Sequence, residues 1–273
     1  MWKLIRYRRL QSLSIAVLAA LITTCAVFAP LYDRATQQAL VDVRLGQVPE
    51  QVRGLGLVSA PALGNNFSGA TSAASTMDLS SLDSLVSANV RRQFRTPVEY
   101  YGATATVSPD TASSGSGPLL WRAGACDHVA VVAGRCPHAV GEIIVTGADA
   151  RIFHYRVGSR LRITGAADNT GAGRPAATGG LRVVGIYRQL RDAYWFGRIL
   201  AGGSGTVDPT PPVHVQHDTW LTSRSTFESG TVPPLPSPST GIDYPLDVAV
   251  TGIDQLLELG DGHVEGVVDP GAR

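Results

Sequence analysis

Two short clusters in the sequence combine residue types that can hold a metal or move a proton. Cys126-x-His128 and Cys136-x-His138 place two thiols and two imidazoles within thirteen positions, the ligand types that zinc prefers. The same thiols close a short loop, and in an oxidising compartment a Cys126–Cys136 disulfide is the default. Such a bridge restricts the unfolded chain by roughly 3 kcal/mol in the loop-entropy view. Zinc remains the alternative at this stage. The second cluster, His214-x-x-His217-Asp218, offers half a metal site or the acid and base of a hydrolase. Its alternation with Val213 and Val215 also fits an edge strand running into a polar cap. The aromatic triplet Tyr194-Trp195-Phe196 suits either a ligand or the burial of a turn. Arg91, Arg92 and Arg95 end an amphipathic stretch, where cations complement a helix dipole.

Other chemistry is missing from the sequence. It has no G-x-S-x-G, S-x-x-K, H-E-x-x-H or phosphate-loop motif, and each of these would mark a specific mechanism. Nothing implies a cofactor. Lys3 is the only lysine in 273 residues. A net charge of +1 and an aromatic content of 7% argue against a nucleic-acid partner, which requires a basic face or stacking platforms.

The elements that must position these residues begin with a membrane segment. Lys3, Arg6, Arg8 and Arg9 lie in a predicted cytoplasmic tail, residues 1–9. The uncharged run from Leu10 to Tyr32 follows and is long enough to cross roughly 30 Å of hydrocarbon. The basic flank orients the amino terminus inward, which places residues 33–273 outside the plasma membrane. A cleaved signal peptide competes with this anchor, because small residues precede Pro30. Cys25 falls inside the span. Ser12, Ala16, Ala20 and Thr24 recur every fourth residue as a small-residue stripe of the kind that lets membrane helices approach. Helix is expected to continue from Asp33 until Gly46 and Pro49 stop it.

Beyond the span, helical and strand periodicities alternate irregularly, which predicts an α+β fold with a mixed or antiparallel sheet. Leu79 to Phe94 reads as an amphipathic helix. Val98–Val107, Glu142–Thr146, Ser159–Thr164, Leu181–Tyr187 and Asp247–Thr251 read as strands, and Ala148–Tyr155 as a short helix. Asn65–Thr76, Thr111–Pro118 and the proline-rich 232–238 read as loops.

The series Gly141-Glu142-Ile143-Ile144-Val145-Thr146, Ala148-Asp149-Ala150, Tyr155 to Ile163 and Leu181 to Tyr187 resembles the extracytoplasmic core domain of FtsX-like, MacB-like ABC transporter permeases. Arg135-Cys136-Pro137, the Tyr194–Arg198 stretch and Pro212 to Thr222 extend the likeness to actinobacterial members. The resemblance implies a non-catalytic mechanical or partner-binding element of a transport complex. Its partners would be the membrane, an ABC ATPase subunit, and further permease helices or a second permease copy. Family members carry three later membrane helices that this sequence lacks, so the resemblance implies a truncated permease. Two alternatives stand beside it: an exported hydrolase using His214, His217 or Asp218, and a binding protein secreted after signal cleavage.

Overall fold

The computed structural model describes residues 2–59, 78–107, 115–164, 178–208, 214–229 and 239–248. These comprise an amino-terminal helix and a sheet domain, Pro49–Leu246. The predicted loops 65–76 and 232–238 lie outside the described residues.

Helix α1 runs unbroken from Trp2 to Gln47 and includes Pro30. At 1.5 Å per residue it is about 69 Å long. From Leu13 to Tyr32 every side chain is exposed among the described residues, the large apolar Leu18, Ile22 and Phe28 included. The hydroxyls of Thr23 and Thr24 donate back to the carbonyls of Ala19 and Ala20 at 2.9 and 2.7 Å. A helix that satisfies its own polar groups in this way suits hydrocarbon. The predicted stop at Gly46 and Pro49 agrees with the helix end at Gln47, and a single helical turn, α2 (Glu50–Arg53), follows in the chain.

The sheet domain is built around a closed circuit of strands. Its members are β2 (Val98–Val107), β3 (Gly115–Arg122), β5 (Glu142–Thr146), β6 (Arg160–Thr164), β7 (Thr178–Gln189) and β10 (Trp220–Thr222). β2 pairs with β3, then β10, β5, β7 and β6 follow in turn, and β6 returns to β2. The β5–β7 and β3–β10 pairs are parallel and the others antiparallel. Closure removes free edges from the short strands. The long strands extend the circuit: β2 also carries β11 (Ser239–Tyr244) and, beyond it, β1 (Leu55–Ser59), while β7 carries β4 (Val129–Gly134). A separate two-residue pair joins β8 (Val207–Asp208) to β9 (His214–Val215).

Three cores follow from this arrangement. Ala105, Leu119, Ile143, Val145, Ile163 and Trp220 fill the inside of the circuit. Ile144, Tyr187, Trp195, Leu200 and Leu221 pack on its outer face. Leu79, Leu82, Val86, Ile242 and Tyr244 form the third, where α3 (Leu79–Ser84) lies against β11. β5 is buried on both faces, which is why Ile143, Ile144 and Val145 form a continuous apolar run rather than an alternation.

Several expectations need correction. The predicted helix from Leu79 to Phe94 is two short helices, α3 and α4 (Ala88–Arg91). Ser87 caps the second, and the Arg91 guanidinium donates to the carbonyls of Asp83 and Val86 at 2.7 and 3.0 Å. Side-chain caps thus compete with continuation of one helix. Residues 115–118, read as loop, belong to β3. A Cβ at Gly115 would meet the Val215 carbonyl oxygen at 2.1 Å, and one at Gly117 would meet Cβ of His217 at 2.7 Å. The glycines therefore admit a crossing segment rather than mark a turn. Asp247 and Val248 carry no strand, and the rest of 247–251 lies outside the described residues. The short helix is α5 (Gly147–Ile152), ended before His154, whose φ is 58°.

Ile143→Ala should lower the unfolding free energy by about 2–5 kcal/mol, whereas Val132→Ala, on the exposed side of β4, should stay within about 0.5 kcal/mol. Urea unfolding of the full chain in neutral detergent compares the two.

Candidate functional site

Several of the polar residues singled out in the sequence gather at the two ends of β5. At its start, Glu142 is almost fully buried and accepts from the Arg135 guanidinium, with Arg135 Nη1 to Oε2 at 2.8 Å. The backbone amides of His138 and Ala139 donate to Oε2, both at 3.1 Å. The Arg135 hydrogen bond, aided by those amides and opposed by burial, lowers the Glu142 carboxyl from its ordinary 4.5 to about 2. Glu142 therefore closes the 134–142 loop over its own strand. Gly141 beside it has φ 72° and donates its amide to Thr226 Oγ1 at 3.1 Å.

Cys126 and Cys136 are bonded to each other, with Cα atoms 6.2 Å apart. The link joins the chain on both sides of β4. With the sulfurs joined, neither offers a thiolate, and the Cys/His zinc alternative loses its strongest ligands. His128 instead stacks on Tyr194 with centroids 3.6 Å apart, and its Nδ1 lies 2.7 Å from Asp192 Oδ2.

At the end of β5, Thr146 caps α5 by accepting from the Asp149 amide at 3.1 Å and donates its hydroxyl to Asp218 Oδ2 at 2.6 Å. Asp149 accepts from the Asp218 amide at 3.1 Å and from Trp220 Nε1 at 2.8 Å. Asp218 Oδ1 accepts three consecutive amides, those of Gly202, Gly203 and Ser204, at 2.8, 2.9 and 3.0 Å. The His217 ring sits beside this network, with Nδ1 3.6 Å from Asp149 Oδ2. Its centroid lies 3.9 Å from that of Phe153 and 5.0 Å from that of Trp220.

The residues on which the hydrolase alternative rests, His217 and Asp218, are thus enclosed. The His217 and Asp149 side chains are both 0% exposed, and Asp218 is committed through both oxygens. A general base must come within hydrogen-bond reach of its substrate, which this placement forbids. The burial is structural: His217 and Asp218 hold the chain entering β10. His214 lies in β9, separated from them by the strand end. No group of three potential metal ligands gathers among the described residues.

A third network escaped the sequence reading. Arg122, with its side chain 0% exposed, donates to Asp243 at 2.5 Å and to the Tyr194 carbonyl at 2.6 Å. Arg198 reaches the same carboxylate and stacks over Tyr100 at 4.1 Å. Burial lowers the Arg122 pKa, with Asp243 opposing the shift. The triplet Tyr194-Trp195-Phe196 belongs here: Trp195 and Phe196 are buried, and Tyr194 is half-buried. Three chain segments far apart in sequence meet at Asp243, so no local spacing announces it. The span residues Ala16, Ala20 and Thr24 are exposed on α1.

No family model matches the chain, and no curated protein matches it. Among solved structures, the crystal structure of the periplasmic region of MacB from Actinobacillus actinomycetemcomitans is similar at a TM-score of 0.31 and 10% identity. The likeness covers 62% of this chain and 65% of that one, just under two thirds of its length. At that distance it assigns no activity.

Two outcomes are expected of these networks. A carboxyl ionised to lower pH in the folded chain than in the unfolded one stabilises fully above about pH 4.5, and the benefit fades as pH falls towards 2. Glu142→Gln should remove about 1.5–3 kcal/mol at neutral pH and flatten that acid limb, read from unfolding midpoints between pH 7 and pH 3. His217→Ala should cost about 2–4 kcal/mol by opening a cavity beside Phe153 and Trp220. A stability within 0.5 kcal/mol of the parent chain would contradict the structural role.

Proposed function

We infer that the chain is the membrane-anchored extracytoplasmic core of an ABC transporter permease of the FtsX-like, MacB-like type. It is a non-catalytic element that transmits movement or binds partners. One observation carries the reading: the residues that resemble this family, from Gly141 to Tyr187, form a single connected unit. β5, α5, β6 and β7 follow one another, and β7 pairs with both β5 and β6. The motif glutamate and threonine, Glu142 and Thr146, close the two ends of β5. In this reading residues 1–9 are cytoplasmic, 10–32 cross the plasma membrane and 33–273 lie outside. The partners are an ABC ATPase subunit and further permease helices or a second permease copy.

The hydrolase alternative loses its support because His217 and Asp218 are enclosed. The secreted alternative keeps the same domain but removes α1 by cleavage. A long apolar helix continuous through Pro30, with the small positions Ser12, Ala16, Ala20 and Thr24 recurring along it, favours retention and contact with neighbouring helices.

Purification from native membranes in mild detergent should bring down a nucleotide-binding subunit, identified by its phosphate-loop peptide in mass spectrometry. Ala16→Leu with Ala20→Leu should reduce that yield several-fold while leaving unfolding of the sheet domain unchanged. An intact peptide from Leu10 to Arg34 in the membrane fraction is expected. A mature chain starting near Pro30, or full recovery of the subunit with the double variant, would overturn the anchor or the helix contact respectively.

A further inference from the structure

The segment following β7 presents an exposed apolar side chain on a backbone that is tied down at every turn. Gln189 donates from Nε2 to the Arg198 carbonyl at 2.8 Å and accepts the Leu200 amide at 2.9 Å. The Leu200 carbonyl accepts from the Thr219 amide at 2.9 Å. Trp195 Nε1 donates to the His128 carbonyl at 3.2 Å, and Asp218 holds the next three amides after Ala201. Between these tethers Ile199 is 83% exposed. Its neighbours Arg198 and Leu200 are engaged, so its exposure is imposed by the fold rather than by fraying. A preorganised apolar group of this kind loses little freedom when a ligand covers it.

Ile199 borders a groove of about 740 Å³ that Arg188, Arg191 and Arg198 also line. Through Arg188, Gln189 and Ala201 it continues into a second groove of about 440 Å³, which adds Arg151 and the exposed Val132. Both volumes fall in the range of small-molecule sites. Among the described residues the Arg188 and Arg191 side chains make no hydrogen bond or ion pair, whereas Arg198 is held by Asp243. Arg151 donates through Nε to the Gly147 carbonyl. Among the described residues Asp192 is the one carboxylate that lines these grooves, and its Oδ2 lies 2.7 Å from His128 Nδ1. Arg188, Arg191 and Arg151 thus outnumber the single carboxylate Asp192, which leaves the rim net positive, and the apolar Ile199 borders it.

We propose that this groove binds a small amphipathic oxyanion, a phosphate or carboxylate on an apolar body. Arg188 and Arg191 grip the oxyanion, and Ile199 packs on the apolar part. Guanidinium groups match the planar, two-oxygen face of such anions. Ile199 and Val132 supply a surface that a bare anion would leave uncovered. The site stands on these residues alone and holds whether or not the chain works within a transporter. An acidic segment of a partner protein is the competing occupant, but grooves of this volume fit a compact ligand better.

The full chain in phosphatidylcholine nanodiscs, titrated calorimetrically with hexyl phosphate against empty nanodiscs, tests this. Inorganic phosphate reports the head alone and hexyl glucoside the chain alone. Hexyl phosphate should bind at least about tenfold more tightly than either. Arg188→Gln with Arg191→Gln should weaken it by about tenfold or more. Ile199→Asn should bring its affinity close to that of inorganic phosphate. All three positions are exposed, and unchanged thermal unfolding will show that the variants fold. Equal binding of hexyl phosphate and phosphate, indifference to the arginine pair, or binding of an Asp/Leu-rich peptide in place of hexyl phosphate would each overturn the proposal. Phosphatidylglycerol nanodiscs distinguish the sources: competition there identifies a lipid headgroup, and its absence a free ligand, both consistent with the site.

Discussion

Strand β5 is buried on both faces and flanked by β7 on one side and β10 on the other. A strand in that position has nowhere to put water, so the polar groups at its ends must find partners inside the protein. The networks around the strand follow from this constraint. Glu142 at the start is neutralised by Arg135 and capped by two loop amides, and Thr146 at the end divides its hydroxyl between the α5 cap and Asp218. The motif that begins with Gly-Glu and ends with Thr is thus a strand with both ends sealed.

Each seal also fixes a neighbouring segment. Glu142 draws in the loop that ends in the Cys126–Cys136 link, which spans β4. Asp218 takes three amides in a row and thereby shapes the chain around Gly203, while Gln189 clamps the residues just before it. Asp243 draws Arg122 and Arg198 together beneath Tyr194. Buried ion pairs of this kind add little net stability over an apolar core, yet removing one partner leaves an uncompensated charge. They act here as registration points between segments distant in sequence. The result is a sheet domain in which buried carboxylates tie the chain together, Glu142 to its own loop and Asp149, Asp218 and Asp243 across segments that are distant in sequence.

The groove beside Ile199 is a product of the same tethers. A loop free to move would fold an isoleucine inward, but one fixed on both sides cannot. The arginines along it come from β7, from the turn that follows and from α5, elements brought side by side only because β7 pairs with both β4 and β5.

The sequence by itself determined what depends on neighbours along the chain. The uncharged span, the end of its helix near Gly46, the strands Val98–Val107 and Glu142–Thr146, the short helix near Gly147 and the mixed α+β character are all readable from periodicity and capping residues. The Gly141–Tyr187 pattern was legible for the same reason, because its strands and helix follow one another directly. Only the tertiary structure decided which residues became neighbours across long separations. Closure of the strand circuit through β6 rests on pairing between residues about sixty positions apart, and Arg122 meets Asp243 across a gap of 121. The same limit left a hydrolase alternative open at His217 and Asp218, whose types suggest chemistry and whose burial removes them from the surface. Exposure is a property of the packed chain, and glycines such as Gly115 and Gly117 show why: a residue that marks a loop when read locally is the space that another strand requires.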